Sequence, residues 1–377
     1  MFLAIRDIRF AKGRFALMGG VVALITLLLV MLSGLTAGLG DQSTSAINRL
    51  GTVSSSGTAA KTVDRIAFGA PGTGEPKASF TESEVTSAQV DSWKKQPGVA
   101  NAEALGISQA RFQAVSPDTG AGTGTTNVAV FGVDPGGRLA PAPVTDDTVV
   151  IGETAAKALS LDVGDKASVG GTALTVSAVV EDQWYSHTVV VWTALPAWSR
   201  LARLTDPGQI GTVAAITYKE GTDVDEAAAN AAANTVSASR PESFQALGSF
   251  KSENGSLTLM QAFLYGISAL VIVAFLTVWT VQRTHDIAVL KAMGGSSSYI
   301  LRDAVAQAAV VLLTGAGAGG TIGVLGGFFA GQAAPFLVSP ATTLLPIAGI
   351  IALGLAGSVL AVLRVTKVDP LIALGGN

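Results

Sequence analysis

Arg283 to Ile300 reads R-T-H-D-I-A-V-L-K-A-M-G-G-S-S-S-Y-I, a short charged island between two long uncharged runs. Gly255 to Gln282 carries no charged residue before it, and Ala304 to Leu363 carries none after it. Runs of this kind cross a bilayer as helices, because about 20 apolar residues span a hydrocarbon core of ~30 Å. Inside the island Ile287, Val289, Leu290 and Met293 fall at helical spacing, with Asp286 and Lys291 on polar ground between them. Gly294-Gly295 ends that helix, and the three serines that follow supply a cap for the next one. The stretch reads as an amphipathic helix at a membrane surface, offering a face to something soluble.

Working outward, residues 256–282 are expected to be a span running inward and 304–331 one running outward. Residues 332–343, with Pro335 and Pro340, make a short outer turn. Residues 344–363 are a further span, and 364–377 form a tail on the same side as the island. At the other end of the chain, Phe15 to Gly40 is a run of 26 residues without a charge. A signal peptide is the rival reading, but its apolar region is usually only about 7–15 residues long. The preferred reading is a retained first span over 15–40. Residues 1–14 alternate Phe2, Leu3, Ile5, Ile8 and Phe10 with Arg6, Arg9, Lys12 and Arg14, as a helix lying along the inner surface would.

Charge orients these pieces. Residues 40–256 hold 15 Lys+Arg against 23 Asp+Glu, a balance of −8, while the remainder holds 9 against 4, a balance of +5. Basic flanks favour the cytoplasm, so both termini and the 283–303 loop are expected inside and residues 41–255 outside. That inserted segment opens on a polar stalk, Asp41 to Lys77, with a strand at Arg65–Phe68. A helix is expected over Glu82–Lys95, with strands at Val99–Leu105, around Ile107–Val115 and at Asn127–Val133. Then D-D-T-V-V-I-G-E-T-A-A-K-A-L-S-L-D-V-G-D-K-A-S-V-G-G-T-A-L-T-V-S-A-V-V reads as a strand, a short helix, a turn and a β-hairpin about Gly170-Gly171. Strands at His187–Trp192 and Val213–Lys219 and a helix over Asp223–Thr235 complete an α+β domain.

With 49% hydrophobic and 14% charged residues and a mean hydropathy of +0.49, the chain is too apolar for an average soluble protein. It has no cysteine, which excludes disulfides, thiol chemistry and thiolate metal sites. No G-x-x-x-x-G-K-[ST] appears, so the chain has no P-loop for ATP. The only histidines are His187 and His285, which the topology places on opposite sides of the membrane, and no zinc or hydrolase constellation follows. The chain reads as a non-enzyme on its own. In the third span Gly315, Gly319, Gly323, Gly327 and Gly331 recur every four residues, a stripe on which another helix approaches closely. Gly34 and Gly38 form a lone pair of the same spacing.

D-I-A-V-L-K-A-M-G-G-S resembles the cytoplasmic coupling motif of the type VII ABC transporter permeases, which include macrolide exporters, lipoprotein-releasing permeases and the cell-division permease. The A-x-R-x-x-R start, the "strand, A-x-x-L, G-D, strand" module and the closing V-D-P-L-I-A-L are similar to the same family. The implied fold is a membrane protein with four transmembrane α-helices, an N-terminal surface helix and an inserted α+β extracytoplasmic domain between the first and second spans. The resemblance also implies a bacterial plasma-membrane location and a homodimer with two copies of a separate ABC ATPase, which binds the ATP. Asp286, Ile287, Leu290, Lys291, Met293 and Gly294 would carry the coupling. No nucleic-acid partner and no intrinsic cofactor are expected; membrane lipids are.

The short chain and modest ectodomain look most like the haem-exporting permeases of Gram-positive bacteria. The alternatives are a mechanotransmitter that regulates an extracellular hydrolase, and an exporter of glycolipids, lipoproteins or antimicrobials. A haem iron needs His, Met, Cys or Tyr as axial ligand. Met31 lies about 24 Å from the inner end of the first span at 1.5 Å per residue, in the outer leaflet. Met260 and Tyr265 lie near the outer end of the second span at comparable depth. These three are the candidate haem residues, with Met31 the candidate for the iron.

Overall fold

The computed structural model describes residues 12–52, 62–116, 120–204, 206–282, 288–289, 293 and 296–365. In chain order it begins with helix α1 (Lys12–Asn48), β1 (Arg65–Phe68), β2 (Val85–Thr86), α2 (Ser87–Lys94), β3 (Val99–Val115) and β4 (Gly122–Val133). Next come β5 (Thr148–Gly152), α3 (Glu153–Leu159), β6 (Lys166–Val169), β7 (Thr172–Val180), β8 (Trp184–Tyr185), β9 (Thr188–Ala194) and α4 (Leu195–Ala202). Then follow β10 (Gln209–Gly211), β11 (Val213–Tyr218), α5 (Glu226–Ala233), β12 (Val236–Ser239) and α6 (Arg240–Ser243). Three long helices close the chain: α7 (Gly248–Gln282), α8 (Ser297–Ala330) and α9 (Pro340–Val365). Two compact units emerge, Met1–Leu39 with Asn254–Asn377, and Gly40–Glu253. Of the surface helix expected over 1–14, residues 1–11 lie outside the described residues and 12–14 already belong to α1; of the tail expected over 364–377, residues 364–365 end α9 and the rest lie outside the described residues.

The first unit is a helix bundle, and α1, α7, α8 and α9 are each long and apolar enough to cross a membrane. Its packing can be read pair by pair. Phe15 meets Trp279 edge-on at 5.7 Å between ring centroids, and Gln261 Nε2 donates to Thr36 Oγ1 at 3.0 Å. Those contacts make α1 and α7 antiparallel. Gly315, Gly319 and Gly323 of α8 face Gly19, Ala23 and Val30 of α1 in ascending order, so these two helices run parallel. On α9, Gly349 and Gly357 receive Tyr265 and Val273 of α7, while Gly354 receives Leu312 of α8. Met18, Val22, Leu29, Ile272, Leu276, Val311, Leu312 and Ile350 are buried between the helices.

The glycine stripe is divided among partners. A β-carbon on Gly315 would stand 2.8 Å from the Gly19 carbonyl oxygen, and one on Gly319 would fall on the Ala23 backbone. Gly323 faces the Val30 side chain, whereas Gly327 faces the ring of Phe336, and Gly331 only caps the helix. Gly34 and Gly38 receive a loop, not a helix: the Phe336 ring lies on Gly34, the Pro335 carbonyl on Gly38, and Leu337 N donates to Gly34 O at 3.0 Å.

The second unit is built on one long strand. The first half of β3 pairs β11 in the order β12-β1-β11-β3, and its second half pairs β4. From there the sheet continues β4-β9-β5-β7-β6, and β6 pairs β3 again, closing a ring of six strands. Within the ring β4–β9 and β5–β7 are parallel. Phe112, Val128, Val130, Ile151, Val169 and Trp198 fill one core of this unit, and Trp93 with Val90, Ala102 and Ile216 fills another under α2 and α5.

Several elements differ from the sequence expectation. Residues 41–48 are not a stalk: α1 continues through them, with Ala46 and Ile47 buried beside Phe68, Phe131 and Trp192. The helix expected from Glu82 begins only at Ser87, because Thr86 and Gln89 form a reciprocal capping box there. The two strands expected on either side of Gly106 are one, since Gly106 marks no break. It lies with Gly132 beneath the Trp198 indole, where a β-carbon would overlap the ring. Helix α5 is shorter than expected at both ends, capped by the Asp225 side chain and stopped by Asn234 in the left-handed region. His187 is outside its expected strand, in the turn before β9.

Candidate transport path and coupling segment

The two contacts that fix α1 against α7 bring Met31 level with Tyr265. The structure nevertheless sends the three haem candidates to different neighbours. Met31 is half-buried, and its sulfur lies 3.5 Å from where a β-carbon on Gly326 of α8 would stand. Tyr265 is partly buried with its ring against Gly349 of α9. Met260 is 53% exposed on α7. A thioether is a soft, polarisable group.

Of the coupling residues, Asp286, Ile287, Leu290, Lys291 and Gly294 lie outside the described residues. Met293 is described: its backbone N donates to Val289 O at 3.0 Å, a helical turn, and its side chain is 72% exposed. The expected serine cap is present, with Ser296 Oγ accepting from Tyr299 N at 3.3 Å to start α8.

Sequence reasoning passed over a joint in the second unit. The last turns of α1 and the first turn of α7 both belong to that unit, and the β8–β9 turn touches each of them. Ser186 N donates to Ser43 O at 3.1 Å, His187 N to Gln42 O at 3.0 Å, and Trp184 N to Ser45 Oγ at 2.9 Å. On the α7 side, the Ser186 and Ser249 hydroxyls lie 3.1 Å apart. His187 Nε2 lies 3.0 Å from Glu253 Oε2 and 3.1 Å from Ser43 Oγ. A ring that carries its proton on Nε2 donates it to that carboxylate, with the Ser43 hydroxyl beside the same nitrogen. Ser186 and His187 sit at φ 49° and 63°. Two-residue hairpin turns with both φ positive favour Asn-Gly, and each residue with a side chain costs about 1–2 kcal/mol there.

The same unit holds a cleft of about 570 Å³ walled by Phe80, Tyr185, Trp198 and Leu247, with Glu82 and Glu84 on its lining. Its buried polar groups satisfy one another: Ser83 Oγ donates to Thr212 O at 2.6 Å, and Trp198 Nε1 to Ser108 Oγ at 3.1 Å. Among the described residues no group of His, Asp or Glu is arranged to hold a metal ion.

Four candidate spans, an α+β domain between the first and second, and a short helical turn after the second define an ABC transporter permease of the type VII architecture. Residues 15–234 match the MacB-like periplasmic core domain and residues 245–370 the FtsX-like permease C-terminal model, so the chain belongs to this permease family. It is 23% identical over 388 residues to the putative hemin transport system permease protein HrtB of Staphylococcus epidermidis, with 100% of both chains covered. Its counterpart in Staphylococcus haemolyticus is 32% identical over 130 residues, covering 34% of this chain and 37% of that protein. An uncharacterized ABC transporter permease of Mycobacterium tuberculosis is 26% identical over 390 residues, covering 100% of this chain and 99% of that one. The family resides in the bacterial plasma membrane with its inserted domain outside.

Proposed function

We propose that this permease is the membrane half of an ATP-driven exporter for a hydrophobic substrate that partitions into the bilayer, and that the substrate is haem. The observation that carries this reading is the end-to-end similarity to a protein named as a hemin transport permease. Supporting it, Met31 offers a half-buried thioether beside Gly326, at the level of Tyr265. With no cysteine in the chain, Met31 is the axial ligand we assign first, ahead of Met260 and Tyr265.

In this reading the transporter is a homodimer served by two ATPase chains, which bind and hydrolyse the ATP. Energy enters through the 283–300 segment, with Asp286, Ile287, Leu290, Lys291, Met293 and Gly294 facing the ATPase. Lys and Arg flanking the spans, among them Arg6, Arg9, Lys12, Arg14, Arg283, Arg302, Arg364 and Lys367, favour an inside position for the termini and this segment. Haem entering from the outer leaflet is expelled when the outer helix ends and the ectodomains move.

An absorption titration of haem into the purified permease, wild type beside Met31→Ala, tests it. The expected result is a saturable Soret band near stoichiometry that weakens by about tenfold or more in affinity in the variant, a loss of roughly 1.4 kcal/mol. Saturable binding unchanged in Met31→Ala moves the ligand to Met260 or Tyr265. No saturable binding discards haem and leaves the permease class standing.

A further inference from the structure

The β8–β9 turn is an unusual place to spend two side chains. An Asn-Gly pair closes such a hairpin without strain, whereas Ser186 and His187 hold positive φ with β-carbons in place. Strained backbone persists where its surroundings over-determine it. Here they do so from two sides. Gln42, Ser43 and Ser45 of α1 bond the turn on one side, and Ser249 and Glu253 of α7 bond it on the other. Both turn residues reach the two helices: Ser186 through Ser43 O and the Ser249 hydroxyl, and His187 with one ring nitrogen, through Ser43 Oγ and Glu253. Both helices continue from these contacts into candidate membrane spans.

We propose that the Ser186-His187 turn is a latch between the outer ends of the first and second membrane helices, with His187 and Glu253 the positioning pair that holds it closed. In this structure the latch is shut. When the ATPase cycle parts the two helix ends, the contacts of His187 break and the strained turn relaxes. The proposal rests on the ABC permease class of the chain and is independent of which substrate it carries.

The absence of cysteine makes the test clean. Ser186→Cys with Ser249→Cys places two thiols where hydroxyls lie 3.1 Å apart, a separation from which small side-chain rotations reach the ~2.05 Å of a disulfide. The permease, reconstituted with its cognate ATPase, is assayed for ATP hydrolysis after oxidation and again after reduction, with each single-cysteine variant as control. The expected result is a slowing of about fivefold or more in the locked complex, the lower edge of ordinary coupling factors, restored by reductant. A disulfide verified by mass spectrometry with an unaltered rate overturns the proposal. Failure of the pair to cross-link in the resting complex overturns the closed geometry on which it stands.

His187→Gly provides a second arm. It removes the bonds to Ser43 and Glu253 and gives the turn its easiest residue. A latch predicts a raised basal ATPase rate with Tm held or increased, and the same rate change in Glu253→Ala. His187→Gln, whose amide nitrogen reaches the place of the ring Nε2 and so keeps a donor to Glu253, stays nearer wild type. A fall in Tm with the basal rate unchanged makes the turn purely structural and overturns the latch.

Discussion

The two units of this chain solve opposite packing problems with the same residue. In the membrane bundle glycine removes side chains so that backbones meet, Gly319 of α8 lying against the backbone of Ala23 in α1. In the inserted domain glycine removes a β-carbon so that a large ring can be buried, Gly106 and Gly132 making room for Trp198. The solvent explains the contrast. Lipid tails are as apolar as a leucine, so burying more carbon between membrane helices gains little, and association depends on close van der Waals contact. In water each buried aromatic contributes through its removed surface, and Trp93, Trp192, Trp198, Phe68, Phe112 and Phe131 are the largest fully buried side chains. Phe336, whose ring fills the space left by Gly34 and Gly327, borrows the domain's device at the end of the bundle.

The largest effect expected from this comparison is on the aromatic side. Trp198→Ala leaves a void over two glycines and an unpaired Ser108 hydroxyl, and should cost about 3–5 kcal/mol, as large-to-small core changes do. The check is the denaturant midpoint of the full chain in detergent, with limited proteolysis reporting cleavage between residues 40 and 253. A cost no greater than that of an exposed substitution would mean the domain is not held by its rings.

Next come the glycines of α8, where the distinction between backbone and side-chain neighbours becomes testable. Gly319→Ala and Gly323→Ala each add one methyl, and each should cost about 1–3 kcal/mol through overpacking. Their rescue should differ. At Gly323 the nearest obstacle is Val30 Cγ1, 2.9 Å from the new carbon; Val30→Ala removes it and leaves Cβ at 3.1 Å, so rescue there should be partial. At Gly319 the obstacle is the Ala23 backbone, which no substitution at position 23 takes away. Thermal midpoints of the four variants in detergent settle the point: rescue of Gly319→Ala by Ala23→Gly would break the argument.

The same contrast explains what could be read from the sequence. Three uncharged runs, the last divided at Pro335 and Pro340, mark the four membrane helices because lipid imposes apolarity on every exposed face. The stripe from Gly315 was visible for the same reason, and its division between α1 and the Phe336 loop was not, since spacing names a face and no partner. In the domain, tertiary contacts decide. The continuation of α1 through Asp41-Gln42-Ser43-Thr44 carries polar letters that read as a stalk, yet Ser43 and Ser45 are buried there. Gly170-Gly171 announced its hairpin, with φ of 55° and 94°, while Ser186-His187 adopts positive φ at both positions with residues that signal no turn. Of the candidate site, Met31, Met260 and Tyr265 were legible as residue types at a depth; their separate neighbours on α8 and α9 were not.

The smallest effect sharpens the comparison at a charge. Glu103 of β3 is largely buried, and burial holds its carboxyl above the ordinary carboxylate range even though Oε1 accepts the Arg138 backbone N–H at 3.1 Å. A group whose folded pKa is raised binds its proton more tightly in the folded chain. It therefore contributes stability below its unfolded pKa, and that contribution is lost as pH rises through the raised folded value. Glu103→Gln keeps an oxygen to accept from Arg138 and removes the titration. At pH 7 the variant should melt at or slightly above wild type, by about 1–2 °C on the usual scale of such changes, and the difference should close by about pH 4. Scanning Tm of both full-length proteins across that range measures it. A gap that widens toward low pH would mean the buried carboxyl is held ionised by its hydrogen bond, and that this domain buries charge as readily as it buries rings.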